Sequence, residues 1–160
     1  MGLGNKNLVA GYCEVVGVTI TAENLMHETT IVAYDMSAAE IAKVMADKNI
    51  GSVLIRNPDG AYGIVTERDI IKKVVSQGLD PKTMKATDVM SKPVVTVDYN
   101  ADVFKVASIL SEKNIRRLPV VKDGKIIGIL TTRDVSRGLV PEFFKELPIF
   151  QHIKDQKRRG

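Results

Sequence analysis

The chain says one thing twice. Residues Gly63 to Asp69 read GIVTERD and residues Gly128 to Asp134 read GILTTRD, 65 positions apart. At the same offset Val32 matches Val97, Tyr34 matches Tyr99, Ala42 matches Ala107, and the tripeptide from Lys48 to Ile50 matches that from Lys113 to Ile115. One short coincidence is cheap; several in a common register mark a duplication. With only two copies, at a period longer than a typical solenoid repeat, a pair of half-domains about a pseudo-two-fold axis fits better than an open array. A copy of about 60 residues is marginal alone, so the two are expected to pack against each other.

Each copy reads as β-α-β-β-α, making the fold class α/β. The first copy spans 14–78, the second 83–140, and 141–160 add a C-terminal helix and a basic tail. Glu14 to Thr21 is expected as a strand leading in, followed by a helical turn at Ala22 to Met26 whose counterpart is Ala86 to Met90. The β-branched runs Thr29 to Ala33 and Pro93 to Val97 read as strands. Ser37 with Glu40 is a capping box, and Ile41, Val44 and Met45 behind it share one helical face. Val103, Val106, Ala107 and Leu110 repeat that face in the second copy. Asn49 and Asn114 suit helix C-termini. Two hairpins are expected, turning at Asn57 to Gly60 and at Asp123-Gly124, the latter a strong two-residue signal. Helices then run from Glu67 to about Gln77 and from Thr132 to about Gly138.

Charge narrows the function classes. Of a net +4, residues 154–160 supply +3, so the body is nearly neutral. Nucleic-acid affinity needs clustered Lys and Arg on phosphates, and only this tail offers it. The single cysteine, Cys13, excludes an internal disulfide and a multi-thiolate zinc site, and His27 and His152 show no ligand spacing. No metal is expected. No apolar run reaches the roughly 18 residues of a membrane span, and no export pattern is evident, so a cytoplasmic protein is expected.

The repeated motif places Thr-Xaa-Xaa-Asp where a strand passes into a helix. Thr66 and Thr131 fall at the N-cap, beside backbone N–H groups that welcome an anion. Asp69 and Asp134, at the third helical position, can accept hydrogen bonds from a vicinal diol. Arg68 and Arg133 can add charge-assisted contacts to phosphate. The same spacing is equally a capping box that only starts a helix. What favours a ligand is the company of Arg116 and Arg117, two cations just before an apolar strand.

Taken in order, Asn24-Leu-Met, Asp88-Val-Met, the run from Asn114 to Pro119 and both GxxTxxD-type motifs resemble a tandem pair of cystathionine β-synthase (CBS) domains, a Bateman module, over residues 14–140. The resemblance implies adenosine-containing ligands (AMP, ADP, ATP or S-adenosylmethionine) in two clefts between the repeats. It implies ribose hydroxyls on Asp69 and Asp134, ribose or phosphate near Thr66 and Thr131, and phosphate in a neighbouring cleft facing Arg116 and Arg117. It places first-strand residues such as Thr96 and Val97, and the segment with Leu118 and Pro119, about the adenine. Phosphate-bearing nucleotides are favoured over adenosyl ligands without phosphate. Two departures stand out: Gly51-Ser52 replaces the arginine pair in the first copy, and Leu54 replaces Pro119.

The expected function is therefore a regulatory module, not an enzyme: an adenine nucleotide as regulatory ligand, no catalytic cofactor, a homodimer, and a separate effector protein. The alternatives are a nucleic-acid-binding protein using its basic tail, or an S-adenosylmethionine sensor. No nucleophile–base pair or paired carboxylates point to catalysis.

Overall fold

The computed structural model describes residues 20–138. The expected strand from Glu14 lies almost wholly outside these residues, as do Cys13, His152 and the C-terminal helix and tail. The described chain forms two compact units, residues 28–95 and residues 20–27 with 96–138. It is mixed α/β, with one three-stranded sheet in each unit.

In the unit of residues 28–95, β1 (Ile31–Ala33) runs parallel to β2 (Ser52–Arg56), which pairs antiparallel with β3 (Tyr62–Thr66). The parallel pair requires a crossover, and α2 (Ala38–Asp47) supplies it. Its start is the expected capping box: Glu40 Oε2 accepts from the Ser37 N–H at 2.8 Å and from the Ser37 hydroxyl at 2.7 Å. Ile41 and Met45 are buried and Val44 packs beside them, so the apolar stripe does face the core. Helix α3 (Glu67–Lys73) follows β3, then a 3-10 turn at Val75–Gln77 and helix α4 (Ala86–Val89). The expected helix to Gln77 is thus broken at Val74, whose buried side chain joins the core. Val53, Ile55, Val65 and Val89 belong to the same cluster; full burial of one such side chain is worth about 1.5–3 kcal/mol.

The other unit repeats the plan. Here β4 (Val97–Asp98) runs parallel to β5 (Arg117–Lys122), which pairs antiparallel with β6 (Lys125–Thr131). The expected strand from Pro93 pairs only from Val97. Helix α5 (Val103–Glu112) crosses between β4 and β5 and buries Val103, Val106 and Leu110. Its N-cap is Asp102, which accepts from the N–H groups of Phe104 and Lys105, both at 2.9 Å. Asn49 (φ 52°) and Asn114 (φ 50°) close α2 and α5 in the left-handed conformation that asparagine tolerates. Asp123 and Gly124 (φ 50° and 73°) make the tight turn between β5 and β6, as a type I′ hairpin requires. Residues 132–138 form α6, the last helix among the described residues.

The duplication is threaded unevenly through the two units. Helix α1 (Ala22–Leu25), the first among the described residues, belongs with β4, β5 and β6, and its continuation pairs His27 with Ile129 through hydrogen bonds of 2.9 and 3.0 Å. Its counterpart α4 belongs with β1, β2 and β3, pairing Ser91 with Ile64 at 2.8 and 3.1 Å. Glycine permits both approaches. A Cβ on Gly63 would lie 2.2 Å from Met90 Sδ; one on Gly128 would lie 2.7 Å from Met26 Sδ and 2.9 Å from the His27 carbonyl oxygen. Each strand glycine makes room for the methionine that follows one of these short helices.

Candidate functional site

Both strand-to-helix junctions are closed capping boxes. At the first, the Thr66 N–H donates to Asp69 Oδ2 at 2.9 Å, the Thr66 hydroxyl donates to the same oxygen, and the Asp69 N–H donates to Thr66 Oγ1 at 3.2 Å. At the second, the Thr131 N–H and hydroxyl donate to Asp134 Oδ2 at 2.8 and 2.6 Å, and the Asp134 N–H returns to Thr131 Oγ1 at 3.4 Å. The helix-starting role read from the spacing is therefore real at both positions. It occupies one oxygen of each aspartate and leaves the other to its surroundings.

There the junctions part. Asp69 Oδ1 lies 3.0 Å from Lys73 Nζ and accepts from the Ser91 hydroxyl at 3.2 Å. Lys73 Nζ also donates to the carbonyl oxygens of Val89 at 2.6 Å and Met90 at 3.3 Å, tying α3 to the end of α4. Burial pushes the Asp69 carboxyl up, but hydrogen bonds from Thr66 and Lys73 and the lysine's charge outweigh it and hold the group below the usual carboxylate range. Asp134 has no such lysine: position 138, the counterpart of 73, is glycine. Among the described residues Asp134 Oδ1 takes no hydrogen bond. The His27 Nε2 atom lies 3.6 Å from Oδ2, an ion-pair distance with no hydrogen-bond geometry to match.

The remaining sequence candidates distribute as follows. Arg68, Arg116 and Arg133 are exposed, as is Thr96. Arg117 is half-buried and directly opposite Thr131 in the β5–β6 ladder, a cation one strand from the Asp134 junction. The matching pair in the other unit is Ser52 opposite Thr66. Val97 and Pro119 are buried and Leu118 fully so. The structure thus groups Arg117, Thr131 and Asp134 in one unit and Thr66 and Asp69 in the other. Lys73 and Ser91 carry no signal of their own in the sequence: a lysine and a serine are common surface residues, and only the docking of α4 beside α3 gives them meaning. No three His, Cys, Asp or Glu side chains among the described residues form a metal-binding group, and no helix there is long and apolar enough to cross a membrane.

Comparison with known proteins agrees with this architecture. The CBS domain family matches residues 22–76 and again 86–141. An uncharacterized protein of Methanopyrus kandleri is 48% identical over 120 residues, 72% of this chain but 61% of that protein, so the match spans less than two thirds of the relative. Hypoxic response protein 1 of Mycobacterium tuberculosis is 33% identical over 124 residues, 77% of this chain and 79% of that one. Among solved structures, a hexameric CBS-CP12 protein from bloom-forming cyanobacteria superposes with a TM-score of 0.70 at 32% identity, covering 74% of this chain and 67% of that chain.

Proposed function

The chain belongs to the CBS-domain family as a tandem pair, a kind of module that is generally regulatory and ligand-binding, and from that premise we propose that it binds an adenine nucleotide and passes the bound state to a separate effector protein without catalysing a reaction. The observation that carries this reading is the Asp134 junction. Its carboxylate is aimed by Thr131, has an oxygen that no described residue occupies, and stands one strand away from Arg117. A carboxylate beside a cation suits a ribose diol followed by phosphate. The ligand acts by binding one conformation better than another, since only differential affinity shifts a population. A homodimer belongs to the same proposal, supported by Ile71 and Val75, which are 59% and 64% exposed on and just beyond α3.

Calorimetric titration of the full chain with AMP, ADP, ATP and S-adenosylmethionine tests the reading. Saturable binding of a phosphate-bearing nucleotide, tighter than S-adenosylmethionine, is expected. Absence of binding to all four contradicts it, and a preference for S-adenosylmethionine moves the chain to the adenosyl-sensor class.

A further inference from the structure

We propose that this chain takes one nucleotide rather than two, because Asp69 is committed to an internal latch and only Asp134 can receive a ribose. The inference rests on the nucleotide reading above and names which of the two duplicated aspartates serves it.

A carboxylate offers about four acceptor positions. Asp69 has filled its own: two donors from Thr66 on Oδ2, and Lys73 with Ser91 on Oδ1. A diol must displace Lys73 or Ser91 to bind there. Displacing Lys73 also strips the ammonium from the Val89 and Met90 carbonyl oxygens, at the place where α4 joins the sheet of its unit. The diol's own hydrogen bonds do no more than replace what is lost.

Accessibility does not separate the two aspartates, since their side chains are 15% and 18% exposed. The partners do. At Asp134 the latch cannot form: Gly138 stands in the place of Lys73, and a Cβ there would lie 2.4 Å from Leu25 Cδ2. Leu25 fills the space that the lysine stem would need. His27 stands in the place of Ser91 and keeps 3.6 Å from Asp134, on the oxygen already capped. A second observation points the same way. The residue opposite the capping threonine is Arg117 at the Asp134 junction and Ser52 at the Asp69 junction, so the acceptor that no described residue occupies and the phosphate-matching cation fall in the same unit.

The test is the stoichiometry and mutational response of AMP and ATP binding by the full chain, measured by calorimetry with folding checked by circular dichroism. One equivalent per chain is expected. Asp134→Asn weakens it about tenfold or more, whereas Asp69→Asn leaves affinity within about twofold. Should Asp69→Asn fail to fold, Lys73→Met replaces it: the first equivalent keeps its affinity within about twofold, and the released Asp69 carboxylate admits a second, weaker one. Two equivalents in the unaltered chain, or loss of binding in Asp69→Asn or Lys73→Met with Asp134→Asn unaffected, overturns the assignment while leaving nucleotide sensing intact. No binding of either nucleotide by the unaltered chain overturns the sensing reading, and this inference with it.

Discussion

Lys73 Nζ sits 3.0 Å from Asp69 Oδ1 while donating to the Val89 carbonyl oxygen at 2.6 Å, so one ammonium joins the start of α3 to the end of α4. The duplicated position carries glycine. A pair of junctions that read alike over seven residues therefore differ, among the described residues, in what fills the second oxygen of their aspartate.

The latch makes stability depend on acid. Because the folded-state pKa of Asp69 is depressed, its contribution is complete above the unfolded value of about 3.9 and is lost as pH falls through the folded one. Thermal melting points should therefore drop as pH is taken below about 4, and Asp69→Asn should flatten that part of the curve. An unchanged slope in the variant would remove Asp69 from the account of acid stability.

Thr131→Ala removes both halves of a cap at once. Its hydroxyl accepts from the Asp134 N–H and donates to the carboxylate. A loss of about 0.5–2 kcal/mol in denaturant unfolding is expected, most of it recovered in Thr131→Ser. If nucleotide binding is also measured, alanine should weaken it by loosening Asp134; serine should not.

The strand glycines give a test of packing. Gly63→Ala puts a methyl group against the thioether of Met90, the far end of a flexible side chain, whereas Gly128→Ala also meets the His27 carbonyl oxygen. Both should destabilise by about 1–3 kcal/mol. Adding Met90→Ala should rescue the first largely; adding Met26→Ala should rescue the second only in part. Equal rescue would mean that the backbone contact at His27 carries no cost.

Much of this fold can be read in residue order. The capping boxes at Ser37 and at the two threonines, the left-handed asparagines, and the Asp123-Gly124 turn are local chemistry, so spacing alone reveals them. The strand at Pro93 to Val97 reads longer than it is, since β propensity says nothing about where a partner begins, and β5 pairs β4 only at Val97 and Asp98. Nor does order in the chain reveal that α1 docks on β6, because hydrogen bonds between His27 and Ile129 are long-range. The site follows the same division. Thr66, Asp69, Thr131 and Asp134 are visible as a motif. That Asp69 is latched by Lys73 becomes visible only when α3 and α4 lie side by side.

Arg117 ties the nucleotide reading to phosphate. Standing across the ladder from Thr131, it should matter for ATP and AMP and little for adenosine. Arg117→Ala is expected to weaken the nucleotides by about 1.5–3 kcal/mol, the scale of a charged hydrogen bond, in competition titrations. Equal losses for adenosine would place Arg117 outside the phosphate contacts.

The most direct measurement is a backbone-amide NMR titration with AMP. The account predicts saturable shifts centred on Thr131 and Asp134, with Thr66 and Asp69 nearly still. Spectra unmoved at millimolar AMP, or shifts centred on Thr66 and Asp69 instead, would contradict it.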